Sequence, residues 1–273
     1  MIDLDITTTA TLRPDILQRT YQSFTDKLLK PGIAKYHCVL HIDRIGMDVI
    51  PTEVLAVARS FFDDVTWRIS DNPNFGLAQK WTWSHSRSEF LFNLEDDWQL
   101  IRDVDLSEML SIMQRNPTLA HLRLSTFPTK TLPEGSRKGS GLCLRQWNAY
   151  IPWNGEFFEV PQRLNCKLGY SNCPSLVRGE FARNVAIYFR DDYSPEKTLK
   201  GRFRELRKEL SRWRFGAYQE PHTKSSGSIR DIGRKWREEN DFFKHRGFGF
   251  KTWQKAPMSE WRDIQRNSKN KGK

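Results

Sequence analysis

Apolar and polar positions in the first hundred residues switch repeatedly between two periods. Residues 4–9 carry Leu4 and Ile6 and end in Thr7-Thr8-Thr9, which predicts a first strand. Residues 15–29 place Ile16, Leu17, Tyr21, Phe24 and Leu28 at helical spacing; Pro14 suits the first turn and Pro31-Gly32 ends the run. Residues 36–42 (Cys38, Val39, Leu40, Ile42) read as a second strand closed by Asp43, 51–62 as a second helix and 65–69 as a third strand. A loop over 71–76 precedes a short helix over 77–85, which leads into the apolar strand Phe90-Leu91-Phe92-Asn93-Leu94-Glu95. The order strand–helix–strand–helix–strand–loop–helix–strand predicts a mostly parallel sheet with crossover helices.

Further on the periodicity is weaker. Residues 105–115 read as a helix stopped by Asn116-Pro117, and 121–125 and 142–147 as strands. Between those strands, 128–141 is rich in Pro, Gly, Ser and Lys and is expected to be a loop. Pro174-Ser175-Leu176-Val177-Arg178 reads as a strand leading into a helix through Phe189. Residues 195–213 set Leu199, Phe203, Leu206, Leu210 and Trp213 at spacings of four and three, opposite Arg202, Arg204, Arg207, Lys208 and Arg212, an amphipathic helix. Residues 229–239 read as an Arg-rich helix after a Gly/Ser-rich loop, and 261–273 as a disordered basic tail.

The strand over 90–95 runs into Glu95-Asp96-Asp97. Three carboxylates at the end of a buried strand need a cation or solvent. A hard divalent ion, Mn²⁺ or Mg²⁺, prefers carboxylate oxygens and keeps positions open for phosphate. The competing reading is a strand that ends in a solvated acidic turn.

Composition narrows the class. Hydrophobic residues make up 38% of 273, with 10 Trp and 17 Phe, enough for a real core. No apolar run approaches the roughly 20 residues that cross a bilayer. The acidic opening Met1-Ile2-Asp3-Leu4-Asp5 does not read as a signal peptide. Cys38, Cys143, Cys166 and Cys173 lack zinc-type spacing and read as reduced thiols of an intracellular, cytoplasmic protein. Residues 1–199 hold 23 Lys+Arg against 24 Asp+Glu, a balance of −1, whereas 200–273 hold 21 against 9, a balance of +12. That asymmetry points to a polyanionic partner, nucleic acid before membrane, or to a solvated basic surface.

No phosphate-binding Gly-rich fingerprint is present, because the first strand ends in Thr7-Thr8-Thr9 without glycine. The hydroxyl-rich strand end followed by Leu12-Arg13-Pro14, the acid Asp43, and Asn74-Phe75-Gly76-Leu77-Ala78 ahead of Glu95-Asp96-Asp97 together resemble a glycosyltransferase of the GT-A fold, close to the GT2-like group. Glu95 departs from the usual first Asp of that group's acidic motif. The resemblance covers about the first hundred residues. It implies an α/β fold with a Rossmann-like mixed, mostly parallel sheet flanked by helices and a basic helical C-terminal extension. Its division would be a catalytic domain over 1–195 (donor site in 1–100, acceptor region in 101–195), a basic part over 196–260 that closes the site, and the tail.

Carried over by residue, the resemblance puts Thr7 and Thr8 in the nucleotide pocket and Asp43 against the base of a UDP-sugar. Asn74 and Gly76 would shape the turn near the diphosphate, Lys80 would meet a phosphate and Asp96 the ribose or donor sugar. Asp97, Glu95 and His222 would hold Mn²⁺ or Mg²⁺. Asp192, with Asp191 in reserve, would be the general base of an inverting transfer. Each has a plainer role open to it: Asp43 a turn cap, Lys80 a solvated side chain, the aspartate pair a helix-dipole complement, His222 a loop histidine.

For the acceptor, basic and aromatic residues interleave at Trp213-Arg214-Phe215, Lys235-Trp236-Arg237 and Trp261-Arg262, a pattern that suits DNA phosphates and stacked bases. Arg230 and Arg234 would bind acceptor phosphates, and Trp147 and Trp153 would stack on a base or a sugar. The chain therefore looks like bacteriophage enzymes that glycosylate hydroxymethylated pyrimidines in DNA. The alternatives are a transferase acting on a surface-glycan or lipid-linked acceptor, a metal-dependent nuclease or nucleotidyltransferase, and a non-catalytic nucleic-acid-binding protein.

Overall fold

The computed structural model describes residues 1–125, 130–131, 149–153, 157–160, 170–200, 204–218, 227–246, 251–256 and 260. The expected loop over 128–141, the strand over 142–147 and the basic tail fall wholly or mainly outside them, as do Trp147, His222, Cys143 and Cys166.

A mixed sheet dominates. Its parallel half consists of β1 (Ile2–Leu12), β2 (Ala34–Gly46), β3 (Asp64–Ser70) and β4 (Phe90–Glu95), in the order β3-β2-β1-β4. These strands are joined by α1 (Pro14–Lys27), α2 (Pro51–Phe61) and α3 (Phe75–His85). After the short β5 (Trp98–Leu100) and α4 (Leu106–Arg115) come β6 (Leu119–Arg123), β7 (Lys130–Thr131), β8 (Ala149–Trp153), β9 (Phe157–Glu159) and β10 (Ser175–Arg178). Strand β10 runs antiparallel between β4 and β6. The helices α5 (Gly179–Ala186), α6 (Pro195–Thr198) and α7 (Arg204–Leu210) then lead to β11 (Arg214–Tyr218), which returns to the sheet between β6 and β9. The chain continues through β12 (Ile229–Asp231), α8 (Gly233–Glu239) and the hairpin β13 (Phe242–Arg246) and β14 (Lys251–Lys255).

Both faces of the sheet are covered, which accounts for the near-continuous apolar runs of its central strands. On one face Leu17, Tyr21 and Phe24 of α1, Val54 and Ala58 of α2, and Leu106, Met109 and Met113 of α4 pack on Leu4, Ile6, Leu40, Phe90 and Phe92. On the other, Trp83 of α3, Phe181 and Val185 of α5, and Leu206 and Leu210 of α7 pack on Leu91, Val177 and Phe215. Asp5 ties the base of the sheet together. Its carboxylate lies 2.8 Å from His37 Nδ1 and accepts from the backbone N–H of Arg87 and Ser88, fixing the entry into β4. Cys38 and Cys173 are free thiols, and burial pushes the Cys38 thiol up to about 12, leaving it unreactive.

The elements differ from the sequence expectation where backbone pairing overrides side-chain pattern. β1 and β2 run on to Leu12 and Gly46: they stay in register from Thr9 to Thr11 opposite Asp43, and pairing resumes after a register shift with Leu12 opposite Gly46. The expected helix over 195–213 is two pieces, α6 and α7. The helix expected over 229–239 begins only at Gly233, because Ile229–Asp231 pairs with β5 and Asp231 Oδ1 then accepts from Arg234 N at 3.0 Å. The C-terminal quarter thus contains strands as well as helices.

One buried group makes folding sensitive to acid. His121 is fully enclosed in β6 with its ring 5.1 Å from Tyr170, and burial, aided by Arg123, lowers its pKa from 6.5 to about 3. The unfolded chain therefore takes up a proton as pH falls below 6.5 while the folded chain does not. Stability contributed by the neutral ring is complete above pH 6.5 and declines toward pH 3, by up to about 1.4 kcal/mol per pH unit. Urea denaturation between pH 7 and pH 4 is expected to show a shallower acid loss in His121→Phe than in the wild type; equal slopes would refute this source of acid sensitivity.

Candidate functional site

The chain leaves β1 toward β2 and β3, then returns to the far side of β1 as β4. This reversal opens a crevice beyond the carboxyl ends of β1 and β4, the place where open α/β sheets bind ligands. Thr9 faces Glu95 across it in register, and Thr11 faces Asp43 on the β2 side.

Arg13 fills the crevice floor. It is 1% exposed, and its Nη2 lies 2.5 Å from Asp96 Oδ1. Asp96 Oδ2 accepts from Thr11 N at 2.9 Å, Thr11 Oγ1 at 3.1 Å and Arg13 Nε at 3.3 Å. Asp97 Oδ2 lies 3.4 Å from Arg13 Nη2 and 3.3 Å from Arg237 Nη1. Burial raises the pKa of Asp96, Arg13 opposes that rise, and neighbouring Asp97 adds to it. Thr20 Oγ1 donates to the Asp96 carbonyl at 2.7 Å, so α1 is fastened to the same turn.

A divalent cation at this turn would use the acids of the triplet. Asp96 has both oxygens engaged by a guanidinium, and Asp97 meets two guanidiniums, whose charges repel a dication. Among the described residues no group of three His, Cys, Asp or Glu is arranged to hold a metal ion. The residues at Asp96 and Asp97 do not fit Mn²⁺ or Mg²⁺. Glu95 is half-buried at the end of β4.

The structure brings Asp43, Asn74, Gly76 and Asp191 together. Asp43 Oδ2 accepts from Asn74 N at 3.2 Å, and His41 Nε2 lies 3.2 Å from Asp43 Oδ1. Asn74 caps α3 by accepting from Leu77 N at 3.0 Å, while its Nδ2 donates to the Asp191 carbonyl at 2.7 Å. Gly76 passes so close to the carbonyls of Arg190 and Tyr193 that a Cβ would overlap them. Asp191 and Asp192 themselves are exposed, and Asp192 pairs with Arg190 at 3.1 Å. Lys80 is half-buried on α3.

Thr7 and Thr8 are enclosed, at 1% and 0% exposure, because β1 continues for several residues beyond them. Arg230 is exposed on β12, and Arg234 is exposed on α8 with Glu238 3.0 Å away. Trp153 ends β8.

A carboxylate missed from the sequence stands in the first turn of α6. Glu196 Oε1 accepts from Asn172 N at 3.0 Å and Ser171 Oγ at 3.4 Å. Next to them Tyr170 receives a 2.6 Å hydrogen bond from Gln79 Nε2. Burial raises the Tyr170 pKa well above its usual value, Gln79 opposes this, and the charges of Glu196 and Glu95 add to it. The signal of Glu196 in the sequence was local: Ser194 caps α6 and Pro195 opens it, which makes Glu196 a first-turn acid.

No family model matches this sequence, and no curated protein matches it either. Solved structures resemble its fold. S. aureus TarS 1-349 in complex with UDP superposes with a TM-score of 0.53 at 12% identity, over 83% of this chain and 60% of that one. The same protein in complex with UDP-GlcNAc gives 0.51 at 11%, over 83% and 58%. Mannosyltransferase PcManGT from Pyrobaculum calidifontis, in complex with GDP-Man and Mn²⁺, gives 0.50 at 11%, over 87% and 62%. The chain spans less than two thirds of the length of each. The likeness shows the fold, the Rossmann-like GT-A arrangement of a mixed sheet between helices. No described helix is long and apolar enough to cross a membrane.

The close passage at Gly76 is open to a direct check. Gly76→Ala is expected to lower stability by about 1–3 kcal/mol, since the opposing atoms are backbone carbonyls that cannot rotate aside. Urea denaturation measures this, and a loss within error would show that the 190–193 loop does not bear on the turn.

Proposed function

We propose that this protein is a nucleotide-sugar glycosyltransferase that moves a sugar from a UDP-sugar to a hydroxyl acceptor. The observation that carries the reading is the pairing of two half-sites at one switch-point crevice. The Asp43–Asn74–Gly76 turn lies on the β2 side, and on the β4–β10 side Glu95 ends β4 while Ser171 and Asn172, ahead of β10, hold the Glu196 carboxylate. The fold likeness supports it, because the neighbours named above carry UDP, UDP-GlcNAc and GDP-Man in the same architecture.

In this reading the Asp43 side takes the nucleotide, with Lys80 toward the phosphates. Glu196 is the general base: it accepts the acceptor's hydroxyl proton as that oxygen bonds to the sugar's anomeric carbon and the diphosphate leaves with the bonding electrons. Glu196 is preferred to Asp192 because it is half-buried and held in place by two donors, whereas Asp192 is exposed and paired with Arg190. For the acceptor, the exposed Arg204, Arg207, Lys208 and Arg230 favour a polyanion, and hydroxymethylated pyrimidine in DNA is the acceptor proposed.

UDP is expected to raise the melting temperature in a concentration-dependent way while ATP leaves it unchanged. No response to UDP would remove the transferase reading. Incubation of UDP-glucose with hydroxymethylcytosine DNA and with unmodified DNA, followed by mass spectrometry of the nucleosides, should give a hexose increment only on the former. Absence of that increment with several donors would remove the DNA acceptor. Glu196→Gln should keep UDP binding and slow transfer about 100-fold or more, with Asp192→Asn near wild type. The reverse result would return the base to Asp192.

A further inference from the structure

We propose that Asp96 and Asp97 bind arginine in place of a divalent cation, and that this ion cluster latches the C-terminal segment over the switch-point crevice. The inference does not depend on the transferase reading. Two carboxylates meet two guanidiniums, so the charges of these four side chains balance one another. Asp96 receives Arg13 through both Nε and Nη2, the planar fork that suits guanidinium and a carboxylate. Asp97 is shared between Arg13, near the start of the chain, and Arg237, near its end. Asp96 and Asp97 are 3% and 7% exposed, so little water is present to screen a dication from both arginines.

The segment that delivers Arg237 is fitted to this turn at several other points. Ile232 N donates to the Asp97 carbonyl at 2.9 Å, and β12 pairs with β5 immediately after the acids. A Cβ at Gly233 would overlap the Asp97 side chain, so α8 rests directly on it. Trp236 lies over the Arg13 guanidinium at 5.2 Å and joins Ile16, Ile232 and Phe242 in a small apolar cluster. A cation taking Asp97 Oδ2 would therefore compete with Arg237, and with the seat of α8 that Arg237 helps to hold.

The test uses the full chain without nucleotide. Free Mn²⁺ is followed by electron paramagnetic resonance, and amide hydrogen exchange is followed over residues 233–240. The wild type should show no saturable uptake up to about millimolar Mn²⁺. Asp97→Asn and Arg237→Gln should each speed exchange over 233–240 about tenfold, with β1 and β2 unchanged. The double variant should do no more than the larger single, since both break one pair. Stoichiometric micromolar Mn²⁺ uptake by the wild type that Asp97→Asn abolishes would overturn the proposal, and so would unaltered exchange in both single variants. Should Arg237→Gln not fold, Arg237→Lys serves instead, because it keeps the charge without the fork and should still speed exchange; unaltered exchange there would also overturn it.

Discussion

The enclosed ion cluster of Arg13, Asp96, Asp97 and Arg237 is the constraint on which the rest of the architecture depends. Charges removed from water cost several kcal/mol each unless every one is matched and hydrogen-bonded. For Asp96 the matching is extensive: Thr11 supplies a backbone and a hydroxyl donor, and Arg13 supplies two more. Leaving one member unmatched in such a place typically costs about 3–5 kcal/mol, a large part of a domain's net stability. The end of β1, the start of α1, the turn after β4 and the helix α8 are therefore held to one arrangement by the same four side chains.

That arrangement sets what the crevice can offer. With its floor occupied by the cluster, the groups left around it are those at its two sides. On one side Asp43 and Asn74 join the end of β2 to the start of α3, and Asn74 reaches on to the loop before α6. On the other, β10 runs antiparallel to β4 and brings Tyr170, Ser171 and Asn172 alongside Glu95, where the first turn of α6 adds Glu196. Residues a hundred positions apart become neighbours because a reversed strand lies between β4 and β6.

The basic C-terminal quarter looks different once folded. Part of its excess is matched by acids from outside the quarter: Arg237 pairs with Asp97 and Arg214 with Glu159. Arg204, Arg207, Lys208 and Arg230 remain at the surface. A charge excess counted along a sequence is thus an upper limit on the charge available to a partner, because pairing by tertiary contact is invisible to the count.

Periodicity and run length determined the alternation of strands and helices through Glu95, and element order then implied the parallel half of the sheet: apolar spacing over 15–29 suits a helix, and the short apolar run over 90–95 suits a buried strand. They also placed an acid at the end of β2, Asn74 in the loop before α3 and three acids after Leu94, because these are properties of local chain order. Partnership was decided only in three dimensions. Whether Asp97 meets a cation or Arg237 depends on a segment 140 residues away. Glu196 becomes notable only when Ser171 and Asn172, in the segment ahead of β10, take hold of its carboxylate. Strand pairing likewise turned 229–231 from the start of a helix into β12, because backbone hydrogen bonds to β5 outweigh a helical pattern of side chains. Local pattern selects the backbone period, whereas the balance of buried charge is a sum over contacts that the linear order does not contain.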